Sequence, residues 1–153
     1  MTINEDLRTA YLKTTFIAET PEAAVFIRVG RTNGALDDVL RRHGCSSWAF
    51  LTAFNPGSVP LGESENQARQ HRLEQELRSQ GYAFFPAKGE PDLKDWRAER
   101  SVLVLGISRD DAVRFGKQYG RNAIVAGNLQ DVPILLWIQP EVRAAQEASC
   151  QFP

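Results

Sequence analysis

The sequence contains few of the residues from which metal sites and disulfide frameworks are built. It has two cysteines, Cys45 and Cys150, and two histidines in 153 residues. The cysteines lack the paired spacing of a zinc site, so we predict free thiols and no metal. The chain also lacks a phosphate loop, a serine elbow and a dinucleotide fingerprint. These absences predict that the protein has no cofactor.

The sequence also lacks a strong overall charge and a long apolar run. Its formal net charge is −1, so no overall positive field favours nucleic acid as a partner. No apolar stretch approaches the roughly 20 residues of a membrane span. The first residues, MTINEDLRTAYLK, are acidic and polar, whereas a signal peptide is basic and then apolar. We therefore expect a cytoplasmic protein that does not bind membranes.

What the sequence does contain is typical of a globular domain. Hydrophobic residues make up 42% of the chain and charged residues 24%. Apolar periodicity and turn residues predict the element order α-ββ-α-β-α-ββ-α-ββ. Several connections are too short for the crossovers of a parallel sheet. We therefore predict an α+β fold, a single-domain mixed, largely antiparallel β-sheet with helices packed on it, over residues 1–139, and a flexible tail over 140–153.

Individual residues set the expected ends of several elements. Asn4 is expected to cap a first helix over residues 5–12. Ser108, with Asp111 at capping-box spacing, is expected to start a later helix. Residues 88–94 are rich in glycine, proline and charge, so a loop is expected there.

The stretch Trp48–Gly81 indicates a buried strand, a polar loop and a helix. The strand is predicted over Trp48–Phe54, where bulky and β-branched residues dominate. The loop Asn55–Ser58 ends it, because proline cannot donate to a sheet and glycine permits a positive φ. Ser64, with Gln67 at capping-box spacing, is expected to start the helix, and Gly81 is expected to follow its end.

The inward stripe of this helix changes from apolar to polar. Leu73 and Leu77 mark its buried end, and steps of three and four residues from Leu73 reach Gln70, Arg69 and Asn66. Buried polar groups cost about 1–3 kcal/mol unless they are paired. The stripe therefore indicates either a ligand-binding site or a structural hydrogen-bond network that holds the preceding loop.

These observations predict a functional site at the end of the strand. Arg69 is a candidate to bind a carboxylate or phosphate through two hydrogen bonds. Glu99 precedes the buried strand 101–107. It is a candidate general base that acts together with Arg69, and the alternative is a plain ion pair between the two residues. Asn122 is a candidate ligand-binding residue, and the alternative is that it only forms a turn after a helix end. The candidate catalytic residues are Glu99 and Arg69, and the candidate ligand-binding residues are Thr52, Asn55, Ser58, Asn66, Arg69, Ser101 and Asn122.

Several motifs occur in order along the chain. They are Tyr11-x-x-Thr14-x-Phe16, Trp48-x-Phe50-x-Thr52-Ala53-Phe54-Asn55-Pro56-x-Ser58, Glu65-Asn66-x-x-Arg69, Trp96-x-x-Glu99-x-Ser101, Gly106-Ile107-Ser108 and Phe115-Gly116-x-x-Tyr119-Gly120-Arg121-Asn122-Ala123-Ile124-Val125. In this combination the chain resembles the bacterial family called domain of unknown function 3293, from about Tyr11 to Ile138. The resemblance implies no particular activity. The family pattern often has Trp in place of Phe54 and Gln in place of Arg121. If that Gln contacts a ligand in relatives, the resemblance implies a different ligand here, or none.

The sequence leaves three functions open and does not decide whether the protein is an enzyme. The first is binding of a small anionic metabolite or nucleotide at the Asn55–Ser58 loop and the helix start with Asn66 and Arg69. The second is a metal-independent enzyme of phosphoryl or nucleic-acid chemistry that uses Glu99 and Arg69. The third is a protein-interaction module with a purely structural polar network, which predicts an exposed apolar patch and no deep polar cleft.

Overall fold

The computed structural model describes residues 3–92 and 98–138, apart from the side chains of residues 3 and 4. This part of the chain contains four helices, none of them long and apolar enough to cross a membrane. The predicted tail over residues 140–153 and Trp96 lie outside the described residues. The helices are α1 (Ile3–Leu12), α2 (Gly34–Arg42), α3 (Glu63–Ser79) and α4 (Arg109–Gln118). The strands are β1 (Thr14–Glu19), β2 (Ala24–Ile27), β3 (Ser47–Leu51), β4 (Ala83–Pro91), β5 (Glu99–Leu105), β6 (Ala123–Asn128) and β7 (Ile134–Trp137), with a short 3-10 helix at Pro56–Ser58.

The seven strands form one antiparallel sheet in the order β2-β1-β4-β5-β3-β6-β7. The strand β3 lies inside the sheet between β5 and β6, and both of its faces are covered, which accounts for its continuous apolar sequence. The order of helices and strands is the one predicted from the sequence. The structure therefore confirms the α+β class and the antiparallel pairing.

Alternation along the strands gives the sheet two different faces. Trp48 and Phe50 of β3 point to the face that α1 and α2 cover. Ala49 and Leu51 point to the opposite face, which α3 and α4 cover. A side chain on the inward stripe of α3 and one beneath α1 therefore lie on opposite sides of the sheet.

Two helix starts differ from the prediction. The helix α1 begins one residue before Asn4, which is therefore not its cap. The helix α3 begins at Glu63 rather than Ser64, with Gly62 as N-cap and no side-chain cap. Gln67 Nε2 instead donates to the Glu63 carboxylate at 2.9 Å, which links one turn of the helix.

Two strand ends also differ. The strand β3 stops at Leu51 because the next backbone donors bond to side chains. Ala53 N donates to Gln70 Oε1 at 2.8 Å, and Phe54 N donates to Thr52 Oγ1 at 3.1 Å. The expected loop at 88–94 is wrong for its first residues, because β4 continues to Pro91 by pairing with β1.

Two smaller predictions, on the start of α4 and the end of α3, are confirmed, and a glycine within α4 allows close packing. Ser108 Oγ accepts a hydrogen bond from Asp111 N at 3.1 Å and so caps α4. Gly81 follows α3 with a φ of 83°, in the left-handed region that favours glycine. Gly116 allows close packing, since a Cβ at that position would lie 3.2 Å from the Ile138 side chain.

Candidate functional site

A reciprocal pair of asparagines holds the loop that follows β3. Asn55 N donates to Asn66 Oδ1 at 2.9 Å, and Asn66 Nδ2 donates to Asn55 Oδ1 at 2.8 Å. Asn55 Oδ1 also accepts from Leu61 N at 3.0 Å. Asn55 has a φ of 47°, in a region that asparagine adopts more readily than most residues. Because Asn66 is buried, this pair fixes the loop to the start of α3.

The polar stripe of α3 continues into a second set of hydrogen bonds. Gln70 is fully buried; besides accepting from the backbone after β3, its side chain donates to Glu74 Oε2 at 3.2 Å. The Glu74 carboxylate in turn forms an ion pair with Arg100 at 3.2 Å. The buried polar side chains at this part of α3 are therefore bonded to other protein groups, as expected of a structural network.

Arg69 belongs to this network rather than to an open cleft. Its Nε donates to Ala53 O at 2.9 Å and its Nη2 donates to Tyr119 O at 2.7 Å. These bonds tie the end of β3 to the end of α4. The expected pair between Arg69 and Glu99 is not formed: within residues 3–92 and 98–138, neither residue takes part in an ion pair.

A cavity of about 490 Å³ lies on the other face of the sheet, beneath α1. Apolar side chains form most of its wall, and its ionisable side chains are few. The volume is typical of clefts that bind small molecules, which span about 300–1,000 Å³. The apolar wall includes Leu7, Phe16, Phe50, Pro60, Ala123 and Val125. Among the described residues, the ionisable ones that line the cavity are Asp6, Tyr11, Lys13, Glu99 and Arg121.

Arg121 is the buried cation of this cavity. The residue is 7% exposed, and its Nη1 donates to the backbone oxygen of Phe54. In the described ranges it forms no ion pair with a carboxylate. Burying a cation without a counter-ion costs free energy. The cavity in front of Arg121 therefore offers an anion both space and a favourable charge.

Tyr11 and Glu99 lie at the same wall as this arginine. Tyr11 Oη donates to Ala123 O at 3.0 Å. Burial raises the pKa of Tyr11, the nearby Arg121 guanidinium opposes that rise, and the Glu99 carboxylate adds to it. Asn55 Nδ2 donates to Glu99 Oε1 at 3.0 Å and so orients the carboxylate. One wall of the cavity thus presents a protonated hydroxyl, a cation and a carboxylate.

The structure brings most of the sequence-predicted site residues together and divides them between two roles. Thr52, Asn55, Ser58, Glu99 and Ser101 line the cavity. The other three, Asn66, Arg69 and Asn122, lie outside its lining and brace the loop; Asn122 Nδ2 donates to Ser58 Oγ at 2.9 Å.

The hydroxyl groups of Thr52 and Ser101 are hydrogen-bonded to the backbone. Thr52 Oγ1 donates to Arg100 O at 2.7 Å, and Ser101 Oγ donates to Glu99 O at 3.0 Å. Neither hydroxyl donates to a side chain that would act as its base, so the arrangement suits binding better than nucleophilic catalysis. In the same described part of the chain, no group of three or more His, Cys, Asp or Glu residues is placed to hold a metal ion.

Sequence reasoning did not include Tyr11 and Arg121 in the site. Two signals were available. Tyr11 opens the first quoted motif, and Arg121 has the same strand parity as Ala123 and Val125, which line the cavity. An arginine beside a buried strand is nevertheless typical of a surface position, and only the fold shows that this one is covered.

Comparison with protein families assigns the central part of the chain. Residues 51–124 match the family model described as "Protein of unknown function (DUF3293)". This part of the chain is similar to that family, in agreement with the motifs of the sequence. The DUF3293 segment supplies Thr52, Asn55, Glu99 and Arg121 to the cavity, whereas α1 precedes it. No curated protein and no solved structure matches the chain.

Proposed function

We propose that this protein binds a small anionic ligand with an apolar body in the cavity beneath α1, and that Arg121 binds the anionic group. The observation that carries the proposal is the burial of Arg121 at a cavity wall without a carboxylate partner in the described chain. A bound carboxylate would form charge-assisted hydrogen bonds with the guanidinium. Displacing water from the cavity would strengthen that attraction.

The charges of the wall favour an anion with a single charge. Asp6 and Glu99 balance Lys13 and Arg121 among the described residues that line the cavity. A nucleoside polyphosphate carries several negative charges and would need more cations, or a loop of backbone donors, than this wall offers. Phe16 and the other apolar lining residues instead suit a hydrocarbon body. Within the class of anionic metabolites and nucleotides, we therefore favour monocarboxylates.

The asparagine pair and Arg69 serve the binding site indirectly in this proposal. Asn55 is fixed by Asn66 from one side and holds Glu99 on the other. Arg69 holds the backbone on which the loop begins. These residues position the wall of the cavity but do not contact the ligand.

The geometry gives less support to the alternative functions. An enzyme that uses Glu99 and Arg69 on one reacting group needs both side chains in one cleft, and only Glu99 lines the cavity. The interaction module predicts no deep polar cleft, whereas the cavity of about 490 Å³ has Glu99 and Arg121 in its lining. Nucleic acid binding draws on surface cations that contact phosphates, and carboxylates already pair with Arg28, Arg41 and Arg42.

The test is calorimetric titration of 3-phenylpropionate, 4-methylpentanoate and ATP into the wild type and Arg121→Gln. Gln keeps a hydrogen-bond donor without the charge. We expect at least one carboxylate to bind the wild type and to lose about tenfold or more in affinity to Arg121→Gln, which corresponds to about 1.4 kcal/mol. Arg72→Gln, which removes an exposed charge outside the cavity lining, should bind as the wild type does.

Two results would contradict the proposal. One is equal carboxylate affinity in the wild type and a folded Arg121→Gln, with folding checked by circular dichroism. The other is the failure of every carboxylate tested, including 3-phenylpropionate, 4-methylpentanoate and their 2-amino derivatives, to bind the wild type. Tight binding of ATP that depends on Arg121 would instead keep the site and replace the monocarboxylate by a nucleotide.

A further inference from the structure

We infer that the ligand also carries a cationic ammonium group, bound by Glu99, so that the cavity accepts an apolar amino acid or a similar zwitterion. This inference rests on the proposed function, because it names a second group on the same ligand. It depends on the Glu99 carboxylate, which the binding of an anion at Arg121 does not use.

The first observation is the orientation of Glu99. Its Oε1 accepts the 3.0 Å hydrogen bond from Asn55 Nδ2. Its other oxygen, Oε2, accepts no hydrogen bond from the described residues, and the carboxylate forms no ion pair there. Glu99 lines the cavity. The described part of the chain thus leaves one carboxylate oxygen to a ligand, and an ammonium donates up to three hydrogen bonds to such oxygens.

The second observation is that the orienting group is itself fixed. Asn55 is bonded to Asn66 in both directions, at 2.9 and 2.8 Å, and accepts from Leu61 N. These bonds leave the Asn55 amide with one orientation. The Glu99 carboxylate is therefore held in place before the ligand arrives, which lowers the entropy lost on binding.

The third observation is the neighbourhood of the two charges. Arg121 and Glu99 both act on the Tyr11 hydroxyl, so they lie along the same wall of the cavity. A ligand that offers only a carboxylate would bring its charge near Glu99 as well as Arg121. An ammonium on the same ligand turns that repulsion into attraction, while Phe16 and Phe50 contact its apolar side chain.

The test compares matched pairs of ligands that differ by the ammonium group. The pairs are L-phenylalanine with 3-phenylpropionate and L-leucine with 4-methylpentanoate, titrated into the wild type, Glu99→Gln and the control Glu65→Gln. Glu65 is exposed on α3 and does not line the cavity. We expect at least one amino acid to bind the wild type and Glu65→Gln about tenfold or more tightly than its deaminated partner, and this ratio to fall below about twofold in Glu99→Gln.

The outcomes separate this inference from the proposed function. If the carboxylates bind through Arg121 as well as the amino acids do, the zwitterion is rejected and the anion site stands. If Glu99→Gln, still folded, weakens both members of a pair equally, Glu99 does not bind the ammonium and the inference is also rejected. If none of the four compounds binds the wild type, both proposals are rejected.

Discussion

Replacing Arg69 with Met should destabilise the fold while leaving the ligand site intact. The change keeps an aliphatic stem but removes the donors to Ala53 O and Tyr119 O, which lie at 2.9 and 2.7 Å. Both acceptor residues are buried, at 0% and 4% exposure. Two carbonyl groups therefore lose their charged partner in a place that water reaches poorly.

The magnitude follows from these two bonds. A hydrogen bond to a charged group contributes about 1.5–3 kcal/mol, so two bonds give an upper range of about 3–6 kcal/mol. Arg69 itself is partly exposed, so some water can replace its donors in the variant. We therefore expect the free energy of unfolding to fall by about 2–4 kcal/mol. This is smaller than the loss expected for breaking a buried ion pair with Glu99, about 3–5 kcal/mol.

Urea unfolding of the wild type, Arg69→Met and Arg72→Met measures this loss directly. Arg72 is exposed on the same helix, so its replacement should change the free energy of unfolding by less than about 0.5 kcal/mol. An equally small change for Arg69→Met would refute the structural role. So would a well-folded Arg69→Met that loses carboxylate binding as completely as Arg121→Gln does.

Three further predictions concern the cavity, the pH dependence of stability and the core. Gly89→Val should fill part of the cavity, since a Cβ added there would lie 3.7 Å from Phe16. Calorimetry should show carboxylate affinity reduced about tenfold or more, and unchanged affinity would mean that the ligand binds elsewhere. Burial, together with the bond from Tyr119 Oη to Glu76 at 2.6 Å, raises the pKa of Tyr119 above its ordinary value. The folded state then keeps a proton that the unfolded state loses near pH 10, so the free energy of unfolding should fall above about pH 10 by up to about 1.4 kcal/mol per pH unit for this tyrosine. Urea unfolding of Tyr119→Phe should show a shallower fall, and an identical slope would contradict this assignment. Gly127→Ala should lower the free energy of unfolding by about 1–3 kcal/mol, because its Cβ would lie 2.9 Å from the buried Trp48 ring; an unchanged thermal melting curve would show that the ring can move aside.

The fold was largely predictable because its signals are local. Turn residues and periodicity separate the eleven helices and strands, and each is short enough to be identified from its own sequence. The misplaced ends depend on distant partners instead. The strand β4 extends to Pro91 only because β1 is there to pair with it. Similarly, β3 stops early because the Gln70 side chain, from α3, takes the next backbone donor.

The site was predictable in part, for a similar reason. The polar stripe of α3 correctly marked buried hydrogen bonds beside the Asn55 loop. Strand parity indicates that Thr52 and Ser101 face opposite to Leu51, but it does not say which helix covers each face. The path of the chain decides which helix covers each face. It places Glu99 at the cavity and Arg69 in the hydrogen-bond network of α3. The cytoplasmic location and the bacterial origin stay predictions.

The central claim, that Arg121 rather than Arg69 binds the anion, is tested most directly by NMR of the arginine Nε–H groups during titration with 3-phenylpropionate. The Arg121→Gln and Arg69→Met variants assign the two signals. The structure predicts that the Arg121 signal shifts until the site is saturated, because a carboxylate binds its guanidinium in the cavity. The Arg69 signal should not shift, because its guanidinium stays bonded to two backbone oxygens. A saturable shift of Arg69 with an unmoved Arg121 would contradict the claim.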